Sequence, residues 1–136
     1  MFYECSKFSV ANCIMMADHM LDKCICYGPV AVPSSAPTMF RAITVSSTSA
    51  VLSWVAPPPE DRNGIVVRYA INMTNLQSRE TVELFSNSTT LTVHNLQPYT
   101  LYICISAAVT SAGRGPISDG IQLQTLEARK YYTHSL

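Results

Sequence analysis

The chain of 136 residues carries nine Lys+Arg against nine Asp+Glu, a formal charge of zero, and so lacks the concentrated basic face that nucleic acid or an anionic membrane demands. Charged residues make up only 13% of it and hydrophobic ones 48%, which favours one buried core with tails over disorder. The charge-free apolar run from Phe8 to Ala17 is about half the length of a membrane helix, so no span is expected in this chain.

Residues 1–32 are rich in Met and Cys. Cys5, Cys13, Cys24 and Cys26 cluster there, and only Cys104 lies in the later body. Such a cluster fits the remnant of a disulfide-rich module, a framework of secreted chains. As a metal site it is poor: Cys24-Ile25-Cys26 places a single residue between the thiols, and His19 has no second histidine at finger spacing. Lys7 followed by the Phe8–Ala17 run has the outline of an export leader, but Glu4 and Asn12 spoil it. The expectation is a chain whose export signal is missing, or a piece of a longer product. Val10, Ile14, Ala17, Leu21 and Ile25 recur at helical steps, with Ser9 to cap the start and Gly28-Pro29 to stop it. This predicts a short helix around residues 9–26, the alternative being an unstructured tail.

Residues 33–37, Pro-Ser-Ser-Ala-Pro, read as a linker separating two units, because proline lacks an amide donor and holds its predecessor extended. The pattern then changes to period two. Thr44–Trp54, Val66–Thr74, Thr81–Phe85, Thr89–Val93, Leu101–Val109 and Ile121–Thr125 are runs of β-branched and aromatic residues between Pro, Gly, Asn or Ser clusters. Short strands at regular spacing, with no helix between them, predict an all-β sandwich or barrel. Alternation turns Ala50, Leu52 and Trp54 inward, then Val66, Tyr69, Ile71 and Met73, then Leu91, Val93 and Leu96, then Tyr102, Cys104 and Ala108, leaving Asn72 outside. Asn63-Gly64 has the chemistry of a tight hairpin, yet the stretch Ala56–Gly64 is too long for one and reads as a crossing between sheets. Residues 129–136 show no period and are expected to be a mobile tail.

Four ordered pieces together resemble a fibronectin type III domain over residues 35–128. Trp54 with Pro57-Pro58 is similar to the family's second-strand tryptophan and its trailing prolines. Asn63-Gly64-Ile65-Val66 with Tyr69-Ala70-Ile71 resembles the third-strand entry. Leu96-Gln97-Pro98-Tyr99-Thr100-Leu101-Tyr102 follows Leu-x-Pro-x-Thr-x-Tyr, and Gly113-Arg114-Gly115-Pro116-Ile117-Ser118 follows Gly-x-Gly-x-x-Ser. The resemblance implies a seven-stranded antiparallel sandwich of immunoglobulin-like type. Its structural core would be Trp54, Tyr69, Leu96 and Tyr102, with Trp54 between the sheets and Tyr102 as a tyrosine corner bonding back to the backbone. Tyr102-Ile103-Cys104 also matches the immunoglobulin Tyr-x-Cys signature. No cysteine lies between Tyr27 and Ile103, however, so that fold's intersheet disulfide cannot form within this unit. Cys104 then reads as a small buried apolar residue. Cys104 and Ser106 stand where the family usually places larger hydrophobic residues.

Asn72-Met73-Thr74 and Asn87-Ser88-Thr89 are N-glycosylation acceptors, one on an outward strand position and one in a loop. His19, His94 and His134 are scattered, and no nucleophile–base–acid set or phosphate loop occurs, so no catalysis, metal or cofactor is expected. The candidate binding surfaces are the loops at one end of the sandwich: Glu60, Asp61 and Arg62 in one, Arg114 in the other. The family's Arg-Gly-Asp tripeptide would fall in the second loop, but Arg114-Gly115 is followed by Pro116. The resemblance implies an extracellular or cell-surface protein–protein interaction module of adhesion or receptor type, its partners other proteins and any neighbouring domains. The alternatives are a structural spacer in a larger modular protein, or a metal-binding or enzymatic role for the N-terminal cysteines.

Overall fold

The computed structural model describes residues 13–17, 22–26 and 29–128, the first two stretches as backbone alone. These two are strands β1 (Cys13–Ala17) and β2 (Asp22–Cys26), an antiparallel hairpin. The helix expected around residues 9–26 is therefore not what forms in these stretches. The spacing that would put Ile14 and Ile25 on one helical face also makes them cross-strand partners. The rest of that expectation, and the tail at 129–136, lies outside the described residues.

The body is a two-sheet sandwich. One sheet has the order β3 (Thr38–Val45), β4 (Ala50–Val55), β7 (Thr90–Val93). The other runs β10 (Ile121–Gln124), β8 (Leu101–Thr110), β5 (Arg68–Asn75), β6 (Thr81–Ser86), with the two-residue β9 (Gly113–Arg114) also on β8. Every pairing among them is antiparallel. The run Thr44–Trp54 that alternation joins into one strand is divided here. Ser46 accepts the Ser49 amide on its hydroxyl at 2.9 Å and its own amide donates to the Ser49 carbonyl at 2.8 Å, folding the chain back. Serine hydroxyls compete with sheet pairing in this way, which periodicity does not register.

The crossing from β4 to β5 holds one helical turn, α1 (Pro59–Arg62). Proline suits the first turn, where its missing amide has no partner to lose. Asn63 ends the turn in the left-handed conformation at φ 57°, which is why Asn63-Gly64 is a helix stop and not a hairpin.

The inward rows meet in one core. Leu52, Trp54, Tyr69, Ile71, Met73, Leu96, Tyr102 and Cys104 are all buried in it. Trp54 packs edge-on against Phe40 at 6.0 Å and Tyr69 at 5.4 Å between ring centroids, an arrangement that adds to simple burial. The Tyr102 hydroxyl accepts the Gln97 amide at 2.8 Å, tying the chain before β8 to the strand itself. Ser106 is buried without strain on polarity: its amide and its hydroxyl both donate to Ser118 Oγ, at 2.9 and 3.1 Å. The last residue of Gly-x-Gly-x-x-Ser is thus the partner that makes a core serine tolerable.

Candidate functional site

Arg68 pairs with Val109, so the start of β5 and the exit of β8 lie at one end of the sandwich. The α1 loop and the β8–β9 turn are brought together there. This is the end at which sequence reasoning places binding residues, and most of it is already engaged.

Residues 30–34 run across it as a strap. The Ala31 amide donates to the Asn63 carbonyl at 2.9 Å, and the Ala31 carbonyl accepts the Thr110 hydroxyl at 2.7 Å. The Val32 carbonyl accepts Asn63 Nδ2 at 3.0 Å. Ser34 donates to the Asp61 carbonyl from its amide at 2.8 Å and from its hydroxyl at 3.2 Å. Pro33 is fully buried. Three glycines make room for this path. A β-carbon on Gly64 would lie 2.8 Å from Val30 Cγ1, one on Gly113 3.3 Å from Val32 Cγ1, and one on Gly115 2.8 Å from both Cβ and the carbonyl oxygen of Pro33. The glycines of Gly113-x-Gly115 are therefore the floor on which the strap rests, beyond any role in shaping their own turn. The stretch that composition marks as a linker begins on the sandwich, with Pro33 buried and Ser34 bonded to the α1 loop.

The four loop residues do not converge. Glu60 is exposed, and Asp61 serves through its backbone carbonyl. Arg62 turns inward, its Nε donating to the Pro57 carbonyl at 2.9 Å. Burial pushes the Tyr69 hydroxyl up from its ordinary pKa, and the Arg62 guanidinium opposes that shift. Arg114 leaves the loop altogether: it pairs with Val109 in the sheet and forms an ion pair with Glu83 of β6. Beside that pair, Arg68 lies 4.5 Å over the Phe85 ring. Periodicity had no signal for either contact, since both join strands far apart in the chain.

Asn72 sits at mid-strand in β5, opposite Glu83 on one side and Ile105 on the other. Asn87 is exposed on the bend between β6 and β7. No group of three or more His, Cys, Asp or Glu side chains among the described residues could hold a metal ion. No helix among them is long and apolar enough to cross a membrane.

Cys104 is fully buried, and burial pushes its thiol from 9.0 up to about 12. A thiol kept protonated is inert. Cys104 should resist alkylation at pH 8 in the folded chain and react once urea unfolds it, read by mass on the peptide that contains it. The folded pKa lies above the unfolded one. The stability tied to this group is thus whole below pH 9.0 and declines as pH rises towards about 12. Rapid labelling under native conditions would contradict the burial.

Comparison with known proteins completes the picture. The family model for the fibronectin type III domain matches residues 35–124. The chain is 35% identical over 98 residues to tyrosine-protein phosphatase Lar of Drosophila melanogaster, covering 71% of this chain and 5% of that one. It is 31% identical over 104 residues to receptor-type tyrosine-protein phosphatase F of Bos taurus, covering 76% of this chain and 6% of the relative. Protein sidekick-2 of Mus musculus is 32% identical over 102 residues, covering 72% of this chain and 5% of the relative. The chain thus spans only a small fraction of the relatives it matches. Among solved structures, the FN5 domain of Drosophila Lar is covered completely, using 71% of this chain at 28% identity, with a TM-score of 0.58. The third fibronectin III domain of human KIAA0343 protein superposes with a TM-score of 0.66 over 79% of this chain and 94% of its own, at 22% identity, a likeness of fold.

Proposed function

Since this chain belongs to the fibronectin type III family, we propose that it works as a non-catalytic spacing and contact module of an extracellular or cell-surface protein, with its loop end acting as a stiff joint to the chain before it. The strap at residues 30–34 carries the reading. Backbone bonds from Ala31 and Ser34, a buried Pro33 and three accommodating glycines hold the entering chain at the α1 and β8–β9 loops. A tether built that way fixes the direction from which residues before it arrive. A free linker of the same composition would leave that direction open.

Protein contacts then fall to surfaces the strap leaves uncovered, and not to a ligand-reading loop end. The receptor-type phosphatases among the relatives support a cell-surface setting, and the two acceptor asparagines agree with it. Phosphatase chemistry does not transfer, because the matched segment is a few per cent of those relatives and coincides with the family's module.

Backbone relaxation by NMR tests the joint. Amides of residues 31, 32 and 34 should show order parameters near those of the strands, roughly 0.85. Values below about 0.6 there, with rigid strands, would mark a free linker and defeat the joint.

A further inference from the structure

We propose that Asn87 is an N-glycosylation site and that Asn72, though it has the same acceptor motif, is left bare. The inference rests on the export of the chain proposed above. Transfer joins the carboxamide nitrogen to the anomeric carbon of a sugar on a lipid-linked oligosaccharide diphosphate. The nitrogen gives up a proton, and the lipid diphosphate departs with the electrons of the broken carbon–oxygen bond. An amide nitrogen is a poor nucleophile. The site therefore needs a carboxamide within reach, a hydroxyl two residues on that is free to turn towards it, and open surface for a bulky hydrated chain.

Asn87 meets these needs. It is exposed, and its carboxamide makes no hydrogen bond among the described residues. Thr89 is exposed too, and contributes only its carbonyl, to the Trp54 amide at 3.0 Å. The bend is held from its flanks: Ser86 and Ser88 hydroxyls donate to the Thr90 carbonyl at 2.7 and 3.1 Å, so the acceptor itself stays clear.

Asn72 is placed far less openly: it is half-buried. It lies in a strand paired on both sides, and its Oδ1 is buried with no partner. The Thr74 hydroxyl is committed to the Thr81 hydroxyl at 2.8 Å.

The position of Asn87 gives the glycan work to do. β6 and β7, which the bend joins, are edge strands of the two sheets, and β6 exposes Val82 and Phe85. Unpaired edges with apolar residues invite pairing with another chain. A hydrated oligosaccharide at their junction screens both.

The test is the full chain behind an added, cleavable export leader in eukaryotic cells, read on whole-cell material as well as medium so that retained protein also reports. Trypsin cuts after Arg68, Arg79 and Arg114, which puts Asn72 on the peptide Tyr69–Arg79 and Asn87 on Glu80–Arg114. The expected result is a glycosidase-sensitive mass on the second peptide and none on the first. Asn87→Gln and Thr89→Ala each abolish it, and Asn72→Gln leaves it intact. A bare second peptide, or a glycan that survives Asn87→Gln, overturns the assignment. Because the leader is supplied, either result bears on the site alone. The export reading is judged separately, by whether the untagged natural protein partitions with the cytosol.

Discussion

Replacing Trp54 with alanine should lower the free energy of unfolding by about 3–5 kcal/mol, the range for deleting a large buried aromatic. Small domains hold only about 5–15 kcal/mol in total, so this single change should leave the fold marginal or lost. The reason is position. Trp54 is 3% exposed and lies between Phe40 of one sheet and Tyr69 of the other, so its loss empties the space that keeps the sheets together. The indole Nε1 has no hydrogen-bond partner, which makes the effect one of volume and ring contact. Trp54→Phe removes no hydrogen bond and keeps a ring, and should cost clearly less. Trp54 is the chain's one tryptophan, so unfolding must be followed by circular dichroism in urea, with the midpoint falling and the slope unchanged. Equal losses for the alanine and phenylalanine variants would show that the rings contribute nothing specific.

How far the sequence carries can be judged from particular residues. Ala50–Val55 and the first half of β8, Leu101–Ser106, alternate between buried and more open positions, while Ser106–Thr110 is buried throughout. A strand whose inward side chains are fixed by burial has one register, so Trp54 and Tyr102 are legible from alternation alone, whereas Tyr69 sits in a run of three buried residues where alternation says less. The β3–β4 turn was legible in Ser46-Ser47-Thr48-Ser49, a polar cluster of the kind that marks turns, but alternation alone ran across it; the Ser46 and Ser49 hydroxyls close it. The N-terminal hairpin escaped because a spacing that serves a helical stripe also serves a cross-strand pair. The strap was hidden for a different reason. Two of its bonds join the Ala31 and Ser34 amides to the carbonyls of Asn63 and Asp61, groups every residue has. The side chains that add to them, Thr110, Asn63 and Ser34, are far from one another in the chain and share no pattern. The glycines were the available signal. They were legible as turn formers, while their tolerance of close approach needs the packed neighbour to be seen.

That tolerance supplies the second large effect. Gly115→Ala should lift the strap off the loop end and cost about 1–3 kcal/mol, the usual penalty for forcing extra volume into packed space. The added carbon would sit 2.8 Å from Cβ and from the carbonyl oxygen of Pro33, and a backbone oxygen cannot swing aside as a side-chain tip does. Gly115 is not among the positive-φ glycines, so alanine there meets a steric obstacle and no backbone strain. Gly120→Ala is the matched control, because its β-carbon would touch Ile103 Cγ2 at 3.4 Å, near ordinary contact. Hydrogen exchange separates the outcomes. In Gly115→Ala the Ala31 and Ser34 amides should exchange markedly faster, since their acceptors at Asn63 and Asp61 are lost. Ile71 and Cys104, in the paired centre of the larger sheet, should change only by the global loss of stability. If Ala31 and Ser34 keep their protection, the chain before the sandwich is not held where Pro33 meets Gly115. If they lose it while the core amides hold, the joint is a separable element whose stiffness one glycine sets, and the spacing role gains a point at which it can be tuned without unfolding the module.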